Sequence, residues 1–370
     1  MYTARSRLVK PLMPFVLATA ALASRPAQLP DYLVWIASEA TDRIALVRFT
    51  PGTNTARVER ELTIGVLPTD PDGPHGVTVS PDGRFLYVTT AHGQPFGYLW
   101  KLDAETGRTA ARVELGNFPA TLQLTPDGAF AFVVNFNLHG DMVPSSVSVV
   151  ATEEMLEIAR IETCTMPHGS RINPQGTKQY SACMMDDEVV EIDTRTFAVA
   201  RRMNVGSDQG HTAHRASRTA HDVSCSPTWV QPSADGTRAY VACNKANEIL
   251  ELDLERWTVA RRIPAGDGVY NLAVTHDGRL LIATNKRAQS VSVFDLSTGS
   301  ELGRIATKRR VVHGVVVSPD DRYAFVSVEG VGSQPGTLEV IDLRRRTSVA
   351  AAEVGQMAGG IDFWKTEGGQ

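Results

Sequence analysis

The chain has 370 residues, 42% of them hydrophobic and 21% charged, long enough for a large core and too apolar for disorder, which excludes fibrous and low-complexity classes. The formal charge is -4, and no run of about 18 apolar residues is present to cross a membrane as a helix. At the start, Arg5, Arg7 and Lys10 precede an apolar run from Pro11 to Ala23 that ends in Ala21, Leu22 and Ala23, matching the small-x-small rule of signal-peptidase cleavage. Residues 1–23 therefore read as a removable leader, and 24–370 as an exported chain, periplasmic or secreted. The alternative is a disordered N-terminus with accidental alanines. Removing three cations from 37 Lys+Arg, against 41 Asp+Glu, leaves a mature charge of about -7, so no nucleic-acid partner is expected.

After this leader the chain repeats itself. Pro81-Asp82-Gly83, Pro126-Asp127-Gly128, Pro174-Gln175-Gly176, Ala234-Asp235-Gly236, His276-Asp277-Gly278 and Pro319-Asp320-Asp321 recur at intervals of 45, 48, 60, 42 and 43 residues, each a tight turn. A short apolar strand such as GVTVS precedes each turn, and a second rich in β-branched and aromatic residues, such as RFLYVTT, follows it. A third strand ends in an Asp motif (YLWKLD, EVVEID, EILELD), and a fourth (TAARVEL, AVARRMNVG) closes the unit. Four strands in about 43 residues make a propeller blade. YLVWIAS, RIALVRF and ARVERELTI supply a second, third and fourth strand without a first, and the C-terminal GGIDFW supplies the missing inner strand. The expected fold is all-β: a seven-bladed β-propeller of four-stranded antiparallel blades, its ring closed by the N-terminal strands plus the C-terminal inner strand, which removes open sheet edges.

The repeat resembles the YVTN-type seven-bladed propeller family, whose motif stands here as YVTT at 87–90, FVVN at 132–135, YSAC at 180–183, YVAC at 240–243 and IATN at 282–285. That resemblance spans Tyr32 to Trp364. It implies the fold and leaves function open, because the architecture serves enzymes, scaffolds and surface proteins alike.

Strand direction sorts the loops onto two faces. The starts of inner strands, the links from second to third strand and the crossovers between blades share the upper face; the PDG turns lie below. Of nine histidines, His75, His168 and His313 open inner strands at one repeat position (PHGV, PHGS, VHGV). His92 and His139 are on second-to-third links, His211, His214 and His221 in a crossover, and only His276 is below. The three equivalent histidines belong to blades two, four and seven, separated by about 100°, 150° and 100° around the ring, close to a trigonal set. Other blades place Ala120, Thr228, Tyr270 and Gly359 at that position. Three neutral imidazoles with an open fourth position are a metal arrangement for copper or zinc. Alternatively each His bonds a loop carbonyl and Gly76, Gly169 and Gly314 simply give the strand start its backbone freedom.

Sulfur is concentrated nearby: Cys164 and Met166 before His168, Cys183, Met184 and Met185 on the following link, and Met142 beside His139. Thioether and thiolate favour copper, although Met also fills irregular gaps. The four cysteines compete with that reading. An even count in an exported chain invites disulfides, and repeat register favours Cys164 to Cys183 and Cys225 to Cys243 among three connectivities. The 60-residue interval holds an insertion at about 206–226 that carries Arg215 and Arg218, either a lid or a solvated loop.

The leading expectation is an exported propeller with a His-rich copper site, zinc as the alternative metal, acting as an oxidoreductase or metal-dependent enzyme on a small molecule, with a redox partner protein possible. His75, His168 and His313 are the primary ligands, His139 and His221 additional ligands or proton carriers, and Arg215, Arg218 and Tyr270 substrate contacts. The resemblance extends, in arrangement only, to propeller enzymes such as nitrous oxide reductase and thiocyanate dehydrogenase, which hold copper among histidines. A non-catalytic YVTN-type scaffold for a protein, glycan or envelope component is the second reading. A propeller lactonase or lyase is the third, with Asp186, Asp187 and Glu329 read as the upper-link acids near the histidines. No Gly-rich phosphate loop or CxxCH haem motif is present.

Overall fold

The computed structural model describes residues 1–2, 29–66, 71–92, 96–207 and 223–369. Most of the leader, and His211, His214, Arg215, Arg218 and His221 of the insertion, lie outside the described residues. The rest forms 28 strands, β1 to β28, in seven four-stranded antiparallel sheets, and a single-turn 3-10 segment at Glu39–Thr41. No described helix is long and apolar enough to cross a membrane.

Six sheets take consecutive strands. The seventh takes β1 (Asp31–Ser38), β2 (Arg43–Thr50) and β3 (Thr55–Thr63) together with β28 (Ala358–Glu367), which pairs antiparallel with β1. Tyr32, Phe49, Tyr323 and Phe325 pack where this blade meets its neighbour, with ring centroids 4.9–6.1 Å apart, and the Tyr32 hydroxyl donates to Asp320 at 2.7 Å. Each fully buried aromatic ring contributes about 1.5–3 kcal/mol. Joining the two chain ends into one core of this kind makes closure cooperative.

The inner strands are β4 (Pro74–Val79), β8 (Pro119–Leu124), β12 (Pro167–Ile172), β16 (Pro227–Pro232), β20 (Val269–Val274), β24 (Val312–Val317) and β28. All seven carry a register shift between their first and fourth residues. A strand that alternated strictly would send its second and fifth side chains to opposite faces; one extra residue between them restores both to the same face. The channel is therefore lined by two tiers. The second positions hold His75, Ala120, His168, Thr228, Tyr270, His313 and Gly359; the fifth hold Thr78, Gln123, Arg171, Gln231, Ala273, Val316 and Asp362.

The irregular residue at position three is held by the YVTN-type motif. Thr89 Oγ1 accepts from Gly76 N–H at 2.8 Å and donates to Ala120 O of the next blade at 2.7 Å. Ser327 repeats this with Gly314 and Gly359, at 2.8 and 2.5 Å. One hydroxyl satisfies the donor that the shift frees from the ladder and stitches two blades together. The glycines after the histidines are thus not there for backbone freedom: none of Gly76, Gly169 and Gly314 has positive φ. A Cβ on Gly76 would stand 2.2 Å from Ala120 O, and one on Gly169 would stand 2.4 Å from Thr228 O, so close approach of the neighbouring strand requires glycine.

Both disulfides form, Cys164–Cys183 and Cys225–Cys243, leaving no free cysteine. They tie the approach to an inner strand to the end of the second strand in blades four and five. With every thiol consumed, thiolate ligation of a metal is excluded. Paired cysteines of this kind belong to an oxidising compartment.

Candidate functional site at the upper mouth of the channel

His75, His168 and His313 converge as equivalent positions should. The His75 ring lies 5.7 Å from that of His313, at 89° to it, and 6.5 Å from that of His168. All three are buried, at 8%, 1% and 6% exposure. Phe118 packs edge-on to His75 and Phe136 edge-on to His168, at 5.5 and 4.8 Å, roofing the histidines one step above their tier.

Two of the imidazoles have an acceptor on one nitrogen. His75 Nδ1 lies 3.2 Å from Glu39 Oε2 and His168 Nδ1 lies 2.9 Å from Thr228 O, while His313 Nε2 stands 3.9 Å from Glu329 Oε1, beyond hydrogen-bond reach. An N–H directed at a carbonyl fixes the tautomer and leaves a lone pair on the other nitrogen. On His168 that lone pair accepts from the Tyr270 hydroxyl at 2.9 Å. His75 Nε2 and His313 Nδ1, both buried, have no partner at all. Burial holds His168 neutral, down to about 3, and with the nearby Lys286 charge pushes His313 well below its usual value.

Around this centre stand groups that the repeat pattern does not reveal. Glu39, on the single-turn segment after β1, joins His75 to His92, whose Nε2 is 2.6 Å from Glu39 Oε1. Burial alone would raise the Glu39 carboxyl, but the two imidazoles outweigh it and hold it below the ordinary carboxylate range; donating to that carboxylate in turn raises His92. His139 does not reach the three rings; its Nε2 lies 3.2 Å from His92 Nδ1. A chain from exposed His139 through His92 and Glu39 to buried His75 results. On the other side, Lys286 Nζ bonds Glu329 at 2.8 Å and lies 4.4 Å from the centre of the Tyr270 ring. Burial would lower Lys286, yet Tyr270 and Glu329 keep it raised, and burial raises the Tyr270 phenol.

The other sequence candidates fall away from this centre. Asp187 accepts from the N–H groups of Ser224, Cys225 and Ser226 and braces the crossover between blades four and five, while Asp186 accepts from Thr165 N–H at 2.7 Å and braces the one between blades three and four. Met166 and Met184 pack against the cluster of Ala91, Phe118, Ala120 and Phe136, and Met142 is exposed. His276 is at the lower turns, bonded to Asp321. Glu39 was missed because it lies in the incomplete first repeat, whose links have no PDG turn to set their register. Lys286 follows the IATN motif directly and was legible as an upper-link cation. Phe118 and Phe136, likewise at upper strand ends, were legible too.

Among the described residues no group of three or more His, Cys, Asp or Glu side chains is spaced to hold a metal ion as it stands. His168 Nε2 is already bonded to the Tyr270 hydroxyl. Burial keeps His168 and His313 neutral, and His75 Nε2 and His313 Nδ1 stand buried without partners.

No family model matches the chain, and no curated protein matches it. Among solved structures it is similar to Kuenenia stuttgartiensis hydrazine synthase, with 21% identity, a TM-score of 0.60 and coverage of 75% of this chain and 80% of that one. It is also similar to a functionally unknown protein from Desulfotomaculum acetoxidans DSM 771, with 17% identity, a TM-score of 0.68 and coverage of 90% and 98%. At these identities the likeness shows the fold alone.

Proposed function

We propose that this chain is an exported metal-dependent enzyme acting on a small molecule at the upper end of its channel, with copper as the favoured ion and zinc as the alternative. The observation that carries the reading is the pair of partnerless buried nitrogens, His75 Nε2 and His313 Nδ1, on rings 5.7 Å apart. Each unsatisfied buried donor or acceptor costs about 1–3 kcal/mol, and one ion would relieve both. His75 and His313 would hold the metal, and His168 would offer the third lone pair in exchange for its bond to Tyr270. The bound ion would supply Lewis-acid or one-electron chemistry.

The protein's own groups then have definite tasks. Glu39 orients His75 and bears the negative charge that a cation at the centre needs nearby. Tyr270, its phenol proton retained by burial, donates at the inner tier. Lys286 and Glu329 set the field on the Tyr270 side. The chain from His139 to His75 gives protons a route between solvent and the buried centre. Two disulfides and the leader-like N-terminus support export.

A non-catalytic scaffold would be favoured by histidines far apart and each bonded to a carbonyl. Only His168 meets a carbonyl. The test is metal content by mass spectrometry on protein purified from an oxidising compartment, beside a variant with His75, His168 and His313 all changed to Ala. Near-stoichiometric copper or zinc in the parent, absent from the variant, is expected. Failure to retain any transition metal would sink the reading and leave the scaffold and the metal-free lyase.

A further inference from the structure

The channel continues below the histidines, and its lower half holds a buried arginine, Arg171, that is attracted to Asp362 of the same tier without closing an ion pair with it. A cavity of about 550 Å³ opens among the lower turns, lined at the fifth-position tier by Gln123, Arg171, Gln231 and Asp362. Above it a second cavity of about 30 Å³, near the volume of one water molecule, is lined by His75 and His313 and also by Arg171 and Trp229. Arg171 thus borders both spaces, and the two histidines with partnerless nitrogens border the upper one. It stands at the constriction between the vestibule and the reactive tier.

The Arg171 guanidinium is held in place without a direct carboxylate partner. It lies 4.3 Å from the centre of the Trp229 ring, and its Nη1 donates to Ser170 O at 2.9 Å. Among the described residues it makes no ion pair; surface arginines such as Arg201 and Arg261 each reach a glutamate. Asp362 shares its tier, but both carboxylate oxygens accept backbone N–H groups, from Val79 at 2.8 Å and Phe363 at 2.9 Å. A planar fork with unused donors, facing a water-sized passage, is built for an anion.

We propose that Arg171 binds a small monovalent anion at the channel constriction, and that such anions are the substrate class reaching the histidines, from the lower face rather than the upper mouth. A single guanidinium already attracted to Asp362 across the tier suits at most one further negative charge. Asp362 disfavours dianions, and the space of about 30 Å³ beside the histidines, near one water molecule in volume, favours the smallest anions. The roof of Phe118 and Phe136 lies on the opposite side of the histidines. The anion site does not depend on a metal; only the direction of travel rests on the function proposed above.

Iodide is the probe, because it is small, monovalent and quenches tryptophan fluorescence, and Trp229 is buried against Arg171. Metal-free protein is titrated at ionic strength held constant with gluconate, which is too large for the constriction. A saturable component of quenching is expected, displaced by nitrate and absent from Trp229→Phe. Its midpoint should rise at least tenfold in Arg171→Gln and fall in Asp362→Asn. Quenching that does not saturate, or one midpoint shared by the parent and both charge variants, overturns the proposal. Should Arg171→Gln fail to fold, the parent against Asp362→Asn decides alone, an unchanged midpoint counting against. The metal-free format keeps this outcome separate from the metal measurement, so either can fail while the other stands.

Discussion

Replacing Asp362 by Asn should make the protein more stable at neutral pH. The carboxylate is enclosed by the seven inner strands, and burial raises its pKa to about 6, against about 3.9 in an unfolded chain. A folded pKa above the unfolded one means that the native state holds the proton more tightly. The penalty is therefore absent below about pH 4, grows as pH rises and is complete above about pH 6. Two units correspond to about 3 kcal/mol at pH 7. Two corrections reduce the gain. Asp362 faces the channel and keeps partial contact with water, which screens the charge, and Asn surrenders one of two acceptors, at about 1 kcal/mol. The expected net stabilisation is about 1–2 kcal/mol at pH 7–8, vanishing or reversing at pH 4. Arg171 and His276 are the other charged or titratable groups lining the vestibule; the attraction of Arg171 lowers the Asp362 pKa and is already contained in the value of about 6. Urea unfolding of parent and variant across pH 4 to 8 reads this directly. A difference that does not change with pH, or a variant weaker than the parent at pH 7, would refute the argument.

Three further outcomes are expected. Replacing either cystine by a Ser pair, with separations of 19 and 18 residues, should cost about 3 kcal/mol on the chain-entropy scale, read from unfolding midpoints in urea; stability equal to that of the parent would show that the loops are held by packing alone. Gly76→Ala should cost about 3 kcal/mol, since its Cβ would meet the backbone carbonyl of Ala120 at 2.2 Å and the Leu122 and Thr89 side chains at 2.7 and 2.9 Å, and a thermal midpoint unchanged within a degree would contradict the packing described. In Glu39→Gln the His92 imidazole should titrate lower than in the parent, followed by its ring proton resonances, because the bond to the carboxylate raises it; an unshifted titration would break the chain from His139 to His75.

The sequence carried the architecture with little loss. Turns at regular intervals, strands of alternating composition and an unpaired inner strand at the C-terminus mark the blades one by one, because each blade is a local unit whose pattern recurs. Equivalence of His75, His168 and His313 was legible for the same reason: side chains at one repeat position must meet at one level of the channel. The favoured cysteine pairing followed from register. Less was legible where the repeat is broken. Glu39 stands in the incomplete first blade, 36 residues from the His75 it contacts, and the Tyr270–His168 bond joins residues 102 apart. The sequence offers backbone freedom only as one alternative role for the glycines following the histidines; the neighbouring strand's carbonyl, which excludes a side chain there, belongs to another blade.

By itself, then, the order of residues determined how many blades form and which positions share a tier, since both depend on period and strand direction. Only the tertiary structure decided which way those positions face and what they find there. The register shift in each inner strand turns its second and fifth residues into the same channel, bringing Arg171 and Asp362 beneath the histidines. It leaves His75 and His313 each with a buried nitrogen that has no partner and gives His168 to Tyr270. These are relations between strands from different blades, set by a one-residue irregularity and by packing across the ring, and no single repeat contains them.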